Sequence, residues 1–512
     1  MSKRNSDVQP RTEKIIKLLP PDGGWGWMVL LGTGLSNIFN QSMLSLFSLL
    51  YGDALEAMGH ETKGAAIVLS TMLFVTNFGG PIAGALIKIT SPRFVAVLGA
   101  FFCTTGILLS GFSTNIWHLI LSYGVSLGLG LGFIQNASFV AINGYFKLRK
   151  NLAVGLAMVG TGIGQTLMPH VVRYFLANYG FKDACILLAS LSLHGICGTM
   201  LIQPVEWHMK KIEEEIVIDE KMYLLDEKTD AISKKDYSSN ETSNKNGSQT
   251  TLPAATDFNA KTDSKSVSSK EKKMKQSPER AKNKDGSMEG PTQEKTLLRK
   301  IYDLFDMSLL SNPRFINIII GTALTVVSIQ NFSMIFPFFL QKAASMNKQQ
   351  TATCMSAVAL ADIMGRIVLP ILQDRFQIKA RMMLIMTSIW LIIVRQILAY
   401  QRDLYLLLVL SALYGFGRSM VIVARNIAIS EPCRTEQVPS AVGLGMLTMG
   451  IIVPPVGYFL GWIRDYTDSF LICITAQNML LLLFLAMWIP DMLYFYLQEK
   501  KERNKNVRKS IT

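Results

Sequence analysis

Charge is scarce in this chain. Asp, Glu, Lys and Arg make up only 17% of its 512 residues and hydrophobic residues 49%, with a mean hydropathy of +0.29. That is more apolar material than a soluble core of this size holds. Histidine is equally thin, at five residues, and His118, His170 and His194 have no metal-ligand spacing. No HExxH helix, glycine-rich phosphate loop or nucleophile elbow occurs, so nothing in the sequence points to an enzyme, a metal or an organic cofactor. Cysteine is limited to six residues: Cys103, Cys185, Cys197, Cys354 and Cys473 fall in or beside apolar runs and Cys433 in a polar loop, which argues against a disulfide framework. The first twenty residues are polar and basic, and the first apolar run is too long for a cleavable leader and lacks a small-residue cleavage site. That run is therefore expected to remain as a membrane span. Aromatic residues are sparse between about 203 and 312, where Lys, Glu, Asp, Ser, Thr and Asn dominate, the composition of a disordered linker. Its Ser277, before Pro278, is a candidate phosphate acceptor, although such a composition is usually only a solvated tether.

What the chain has in quantity is apolar runs of membrane-crossing length. Twelve are expected, at 26–50, 64–88, 94–112, 117–143, 152–178 and 183–202, then 314–340, 350–373, 380–400, 404–429, 440–462 and 469–495. The expected organisation is a tail at 1–25, a six-helix bundle at 26–202, a linker at 203–312, a second bundle at 313–495 and a tail at 496–512. With the N-terminus inside, the tails and short inside loops hold roughly 20 Lys and Arg, including Lys3, Arg4, Arg149, Lys150, Arg375 and Arg381, against about six outside. Both termini and the linker are thus expected in the cytosol. This bias accounts for most of the net charge of +14, so nucleic-acid binding is not indicated, whereas contact with anionic membrane lipid is.

Two local patterns stand out. Asp22-Gly23-Gly24-Trp25-Gly26-Trp27 opens the first span after Pro20 and Pro21. Asp22 sits where a helix N-terminus favours negative charge, the glycines permit close approach, and the tryptophans suit the membrane interface. An N-cap with an aromatic anchor is the plainer explanation of the same residues. The second pattern, Tyr145-Phe146-Lys147-Leu148-Arg149-Lys150-Asn151-Leu152-Ala153, leads into a fifth span with Gly155, Gly160, Gly162 and Gly164. Small residues at this spacing let helices pack closely, whether to slide or simply to stay put. Gly124, Gly128 and Gly132 repeat the pattern in the fourth span.

On these two motifs the chain resembles the monocarboxylate transporter family of the major facilitator superfamily. The first signature is complete, while the second has Leu148 where a lysine is usual. The resemblance extends to the long linker and to Ser440-Ala441-Val442-Gly443-Leu444 at the start of the eleventh span. It implies an all-α membrane protein of twelve helices in two six-helix bundles, a plasma-membrane solute carrier working by alternating access, and often a single-span immunoglobulin-like accessory subunit.

Charged residues inside spans are costly unless paired or wetted, and so mark candidate function. In the eighth span Asp362 and Arg366 stand four apart on one helix face, where they can neutralise one another, either as a site or as a structural ion pair. The family has the same arrangement, which implies that Arg366 holds a substrate carboxylate by bidentate hydrogen bonds. Arg418 falls near the middle of the tenth span, where the family commonly has an aromatic residue. Arg425, seven residues on, is expected to snorkel to the interface, and Arg395 and Arg173 are likewise expected at interfaces. In the first span Asn37, Gln41 and Ser45 form a polar stripe, suited to a wet cavity or to pairing helices. Ser45 stands where proton-coupled lactate carriers of the family have a lysine; Gln41 and, in the second span, Asn77 stand where aromatics are common. The expected substrate is a small monocarboxylate or related organic anion bound among Gln41, Ser45, Asn77, Asp362, Arg366 and Arg418. A neutral or zwitterionic solute such as an amino acid, or a sensor or scaffold that moves nothing, remains open on the sequence.

Overall fold

A computed structural model describes residues 12–59, 61–217, 299–300 and 302–511. Ten of its helices are long and apolar enough to cross a membrane. One of these, Lys150–Met200, is two helices: Gly180, at φ +76°, breaks the helical path between 150–179 and 181–200. That backbone is open to glycine and strained for most other residues. The first span fails the length criterion because it is interrupted. Instead of one helix over 26–50 there is an α-helix Trp25–Phe39, a tight turn Gln41–Ser45 and a second helix Phe47–Ala57. Counted this way the crossings number twelve.

The interruption of the first span is matched by polar bonds to three other helices. The Asn37 amide donates to the Ala157 carbonyl of the fifth span at 2.8 Å, Ser192 of the sixth donates to Asn40 Oδ1 at 2.6 Å, and Gln41 donates to the Leu131 carbonyl of the fourth at 3.2 Å. These bonds to neighbouring helices offset the backbone bonds lost at the break, which is how broken helices survive at membrane depth.

The remaining spans follow the apolar runs, at Glu61–Ile89, Pro92–Ser110, Ile116–Tyr145, Pro313–Phe338, Lys348–Phe376, Ala380–Tyr400, Leu404–Ser430 and Val438–Thr467. The twelfth helix, Phe470–Ile511, continues through most of the expected tail at 496–512. Large apolar side chains such as Leu121, Met364 and Trp462 are exposed on outer faces, as lipid-facing residues are. Apart from the helical body, Thr12–Leu19 (β1) and Lys210–Val217 (β2) form a two-stranded sheet. The strand Lys210–Val217 departs from the disorder expected at the start of the linker. Partners so distant in sequence leave no local pairing signal. The rest of the linker, with Ser277 and Pro278, lies outside the described residues.

Glycines set how closely the helices approach. A Cβ on Gly160 would collide with the Gly34 carbonyl of the first span, and one on Gly155 with the Arg366 carbonyl of the eighth. The fifth span therefore packs tightly against both halves. Further contacts between halves gather at the end from which the linker departs, termed here the linker face. Asp374, on the last turn of the eighth span, accepts from Asn151 Nδ2 at 2.6 Å and from the Leu152 N–H at 3.0 Å. Lys150 donates to Ser430 Oγ at 2.8 Å, Asn136 to the Pro439 carbonyl at 3.2 Å, and Lys88 pairs with Asp306.

Candidate functional site

A cavity of about 410 Å³ lies between the halves. The first, second, fourth and fifth spans contribute Asn37, Gln41, Asn77, Gln135, Ser138, Thr161 and Gln165; the seventh, eighth and tenth contribute Gln330, Ser333, Arg366, Arg418 and Arg425. Phe74, Phe139, Ile142 and Met449 supply apolar surface between these groups. A wall mostly of carbon with a few convergent polar groups is the usual make-up of a small-molecule site.

The charged cluster is built on the eighth span. Arg366 is 2% exposed and Asp362 4%. Arg366 Nη2 lies 2.6 Å from Asp362 Oδ2, as the four-residue spacing requires, and its Nη1 donates to the Met158 carbonyl of the fifth span at 2.5 Å. From the tenth span, Arg418 Nε stands 3.9 Å from Asp362 Oδ1. One carboxylate thus faces two guanidinium groups. Gly365, between the pair, packs its Cα face on the Phe416 carbonyl, where a Cβ would come within 2.8 Å. This close approach sets the eighth span against the tenth and brings Arg418 to Asp362.

Gln41, Asn77, Arg366 and Arg418 all reach the cavity wall, with Asp362 directly behind them. The side chain of Ser45 lies outside the described residues. Gln41 and Asn37 tie the first span to its neighbours through their amide nitrogens, so the helix-pairing and cavity-lining readings of the polar stripe hold together. Asn77 donates to its own helix, to the Leu73 carbonyl at 2.8 Å.

Two expectations about arginine are corrected. Arg425 does not snorkel: it lines the cavity, with only Met449 Sδ, at 3.9 Å, as a contact of its Nη1. Arg395 is wholly buried, bonded to Ser328 Oγ at 2.7 Å and to the Ser328 carbonyl at 3.1 Å, with its guanidinium 4.5 Å from the centre of the Phe332 ring. Both lie on helix faces turned inward, and distance from a span end does not reveal that. Gln135, Ser138, Thr161, Gln165, Gln330 and Ser333 were missed although the signal was present, since polar side chains inside apolar runs tend to face water or another helix. Arg173, His118, His170 and His194 are exposed and off the wall. All six cysteines are free, and among the described residues no group of three His, Cys, Asp or Glu is gathered to hold a metal.

The signature residues form a separate cluster at the linker face. Asp22 does not cap the first span, whose N-cap is Gly24 without a side-chain bond. Trp25 stacks on His208 at 5.4 Å and donates to the Leu201 carbonyl at 3.2 Å, Trp27 meets Phe146 edge-on, and Tyr145 donates to the Gln203 carbonyl at 3.1 Å. A Cβ on Gly26 would press on Phe146 at 3.0 Å. Gly23 takes part through its carbonyl, which accepts the Gly26 N–H at 3.0 Å. Arg149 is exposed.

Two helical halves with a cavity between them whose wall carries arginine define a multi-pass helical membrane fold. A family model described as Major Facilitator Superfamily matches residues 29–239 and 309–511. The chain belongs to the major facilitator superfamily, and it is similar to proteins named monocarboxylate transporters. Monocarboxylate transporter 13 of Rattus norvegicus is 33% identical over 183 residues, 36% of this chain and 43% of that one, so the matched stretch spans less than half the relative's length. Monocarboxylate transporter 9 of Gallus gallus is 25% identical over 494 residues, 91% of this chain and 93% of that one. Among solved structures, the E. coli fucose:proton symporter aligns with a TM-score of 0.55 over 91% of this chain and 96% of its own, at 14% identity. The human organic anion transporter aligns with a TM-score of 0.56 over 92% and 100%, also at 14%.

Proposed function

We propose that the protein is a secondary transporter that moves a small monocarboxylate or related organic anion across the plasma membrane, its halves rocking about the central cavity. The observation that carries this reading is the buried Asp362–Arg366 pair at the cavity wall, with Arg418 sharing the same carboxylate. A guanidinium held by Asp362 on one side keeps N–H groups for a substrate carboxylate on the other, in the planar fork that carboxylates match. Gln41 and Asn77 would orient the rest of the solute, together with Ser45, four residues after Gln41. The relatives' name, monocarboxylate transporter, supports the substrate class. The excess of cations over carboxylates favours an anion over a neutral or zwitterionic solute. Contacts between the halves at the linker face suit a state entered from the opposite side.

The Lys and Arg bias supports cytosolic termini and a cytosolic linker. An immunoglobulin-like single-span partner follows only from the family resemblance. Uptake of labelled carboxylates by cells expressing the protein tests the central reading: saturable flux that Arg366→Ala abolishes at equal surface level supports it. Saturable binding without flux would make the protein a sensor, and staining of intact cells by epitope tags on the termini would overturn the orientation.

A further inference from the structure

Three arginines reach the cavity wall, and one carboxylate stands behind it. Arg366 and Arg418 both face Asp362, which leaves Arg425 without a carboxylate within 4 Å among the described residues. Its Nε is buried with no hydrogen-bond partner. Two acids toward the linker face are already engaged: Glu431 accepts from the Ala380 N–H at 2.6 Å and lies 3.8 Å from Arg381, while Asp374 takes Asn151 and Leu152. The other buried arginine without an acid, Arg395, is held by Ser328 and two aromatic rings away from the cavity. Arg425 has no such cage. With Arg366 and Arg418 it gathers positive charge on one cavity wall, which an anionic solute would offset.

Arg418 and Arg425 are seven residues apart on one helix, two turns and about 10 Å along its axis. The cationic groups therefore occupy two levels of the cavity, with Phe139, Ile142 and Val421 among the residues between and around them. A monoanion at Arg366 would leave the Arg425 level uncompensated, and a cavity of about 410 Å³ has room for more than a three-carbon acid.

We propose that the cavity is built for an organic dianion, with one carboxylate held at Arg366 and Arg418 and a second anionic group at Arg425. The inference rests on the carrier reading above and sharpens its substrate class from monocarboxylate to dicarboxylate. Bridging both levels gives all three guanidinium groups an anionic partner at once, and the apolar wall suits the carbon chain that joins the two charges.

The test uses purified full-length protein and expressing cells, with butyrate as the monoanion and succinate, glutarate and adipate as dianions. In the wild type, a dicarboxylate should raise the melting temperature more than butyrate does and should enter cells at lower concentration. Arg425→Gln should weaken dicarboxylate binding by roughly tenfold or more, the usual loss for one charged hydrogen bond, and by clearly more than it weakens butyrate binding. Arg425→Lys should restore part of the preference, and an unchanged ligand-free melting temperature shows that the variants fold. A wild type that binds and carries butyrate in preference to every dicarboxylate, or a preference that Arg425→Gln leaves untouched, overturns the dianion proposal and spares the carrier reading. Absence of both binding and flux for all four probes overturns both.

Discussion

Asp22 Oδ1 accepts the backbone N–H of Lys147 at 2.6 Å and that of Leu148 at 2.8 Å, and the Asp22 N–H is donated in return to the Tyr145 carbonyl at 3.1 Å. The two signature motifs, far apart in sequence, are thus one structural unit. A short acidic side chain suits the task twice over, since Asp22 sits at φ +47°, where Asp and Asn are tolerated better than most residues. The unit fixes the start of the first span against the loop that leads into the fifth, the helix that packs on both halves.

Asp22→Ala should therefore act through folding rather than through the solute. Losing two charge-assisted bonds at the linker face should cost about 1–3 kcal/mol and lower the amount of protein at the cell surface. Asp22→Asn, which keeps an acceptor and tolerates the same backbone, should cost less. Thermal unfolding and surface biotinylation read the loss. Transport per surface molecule should stay near the wild-type level, and a selective loss of turnover would assign these motifs a direct role in the cycle.

Arg366→Ala should reduce uptake by roughly 10- to 100-fold, the span expected for a charged hydrogen bond to the solute. Arg366→Lys should recover little of it, because an ammonium keeps the charge and loses the bidentate fork. Asp362→Asn should also impair uptake, since Arg366 at 2.6 Å and Arg418 at 3.9 Å would lose their shared counter-charge. Initial rates normalised to surface protein are the measurement. Wild-type rates in Arg366→Ala would remove the carboxylate clamp from the mechanism.

The number and placement of spans were legible because each apolar run exceeds the membrane-crossing length, and the Asp362–Arg366 contact was legible because a four-residue spacing fixes both on one face. Other features were not legible for identifiable reasons. The first span breaks at Asn40 under bonds from three other helices, which no pattern within the span encodes. Arg425 and Arg395 share the tenth and ninth spans with ordinary apolar neighbours, and only helix packing decides that one lines a cavity and the other lies under aromatic rings. Asp22 reads as a helix cap from its position and proves to be a bond to a loop more than a hundred residues away.

Asp374→Ala should loosen the linker face, because Asn151 and the Leu152 N–H lose their acceptor on the other half. Val154, on the cavity wall just beyond this contact, offers a reporter. In Val154→Cys, labelling by an impermeant maleimide applied from the linker side should speed up roughly tenfold when Asp374→Ala is added, as expected for about 1.4 kcal/mol lost from the closed state. Equal labelling rates with and without Asp374→Ala would mean that the contact does not hold that face shut.

Transport should be weakly coupled to protons or uncoupled. The lactate carriers resembled here are thought to use a first-span lysine as the protonatable group, and this chain has Ser45 there, which has no proton to exchange near neutral pH. Among the described residues the cavity wall carries no Lys, His, Asp or Glu, and its charged groups are three arginines. Asp362, just behind the wall, has one oxygen on Arg366 and the other facing Arg418, so its negative charge is the counter-charge of two guanidinium groups. His170, the histidine on the fifth span, is exposed and off the cavity. The measurement is intracellular pH during uptake of a transported solute, with initial rates taken across external pH from about 5.5 to 8, the window in which a histidine-like group titrates. Rates should change little across that window once the ionisation of the solute itself is allowed for, and entry should bring no stoichiometric acidification. A steep rise in uptake as external pH falls, matched by one proton per solute, would mean that a group outside this wall carries the proton and that the change from lysine to Ser45 did not remove the coupling.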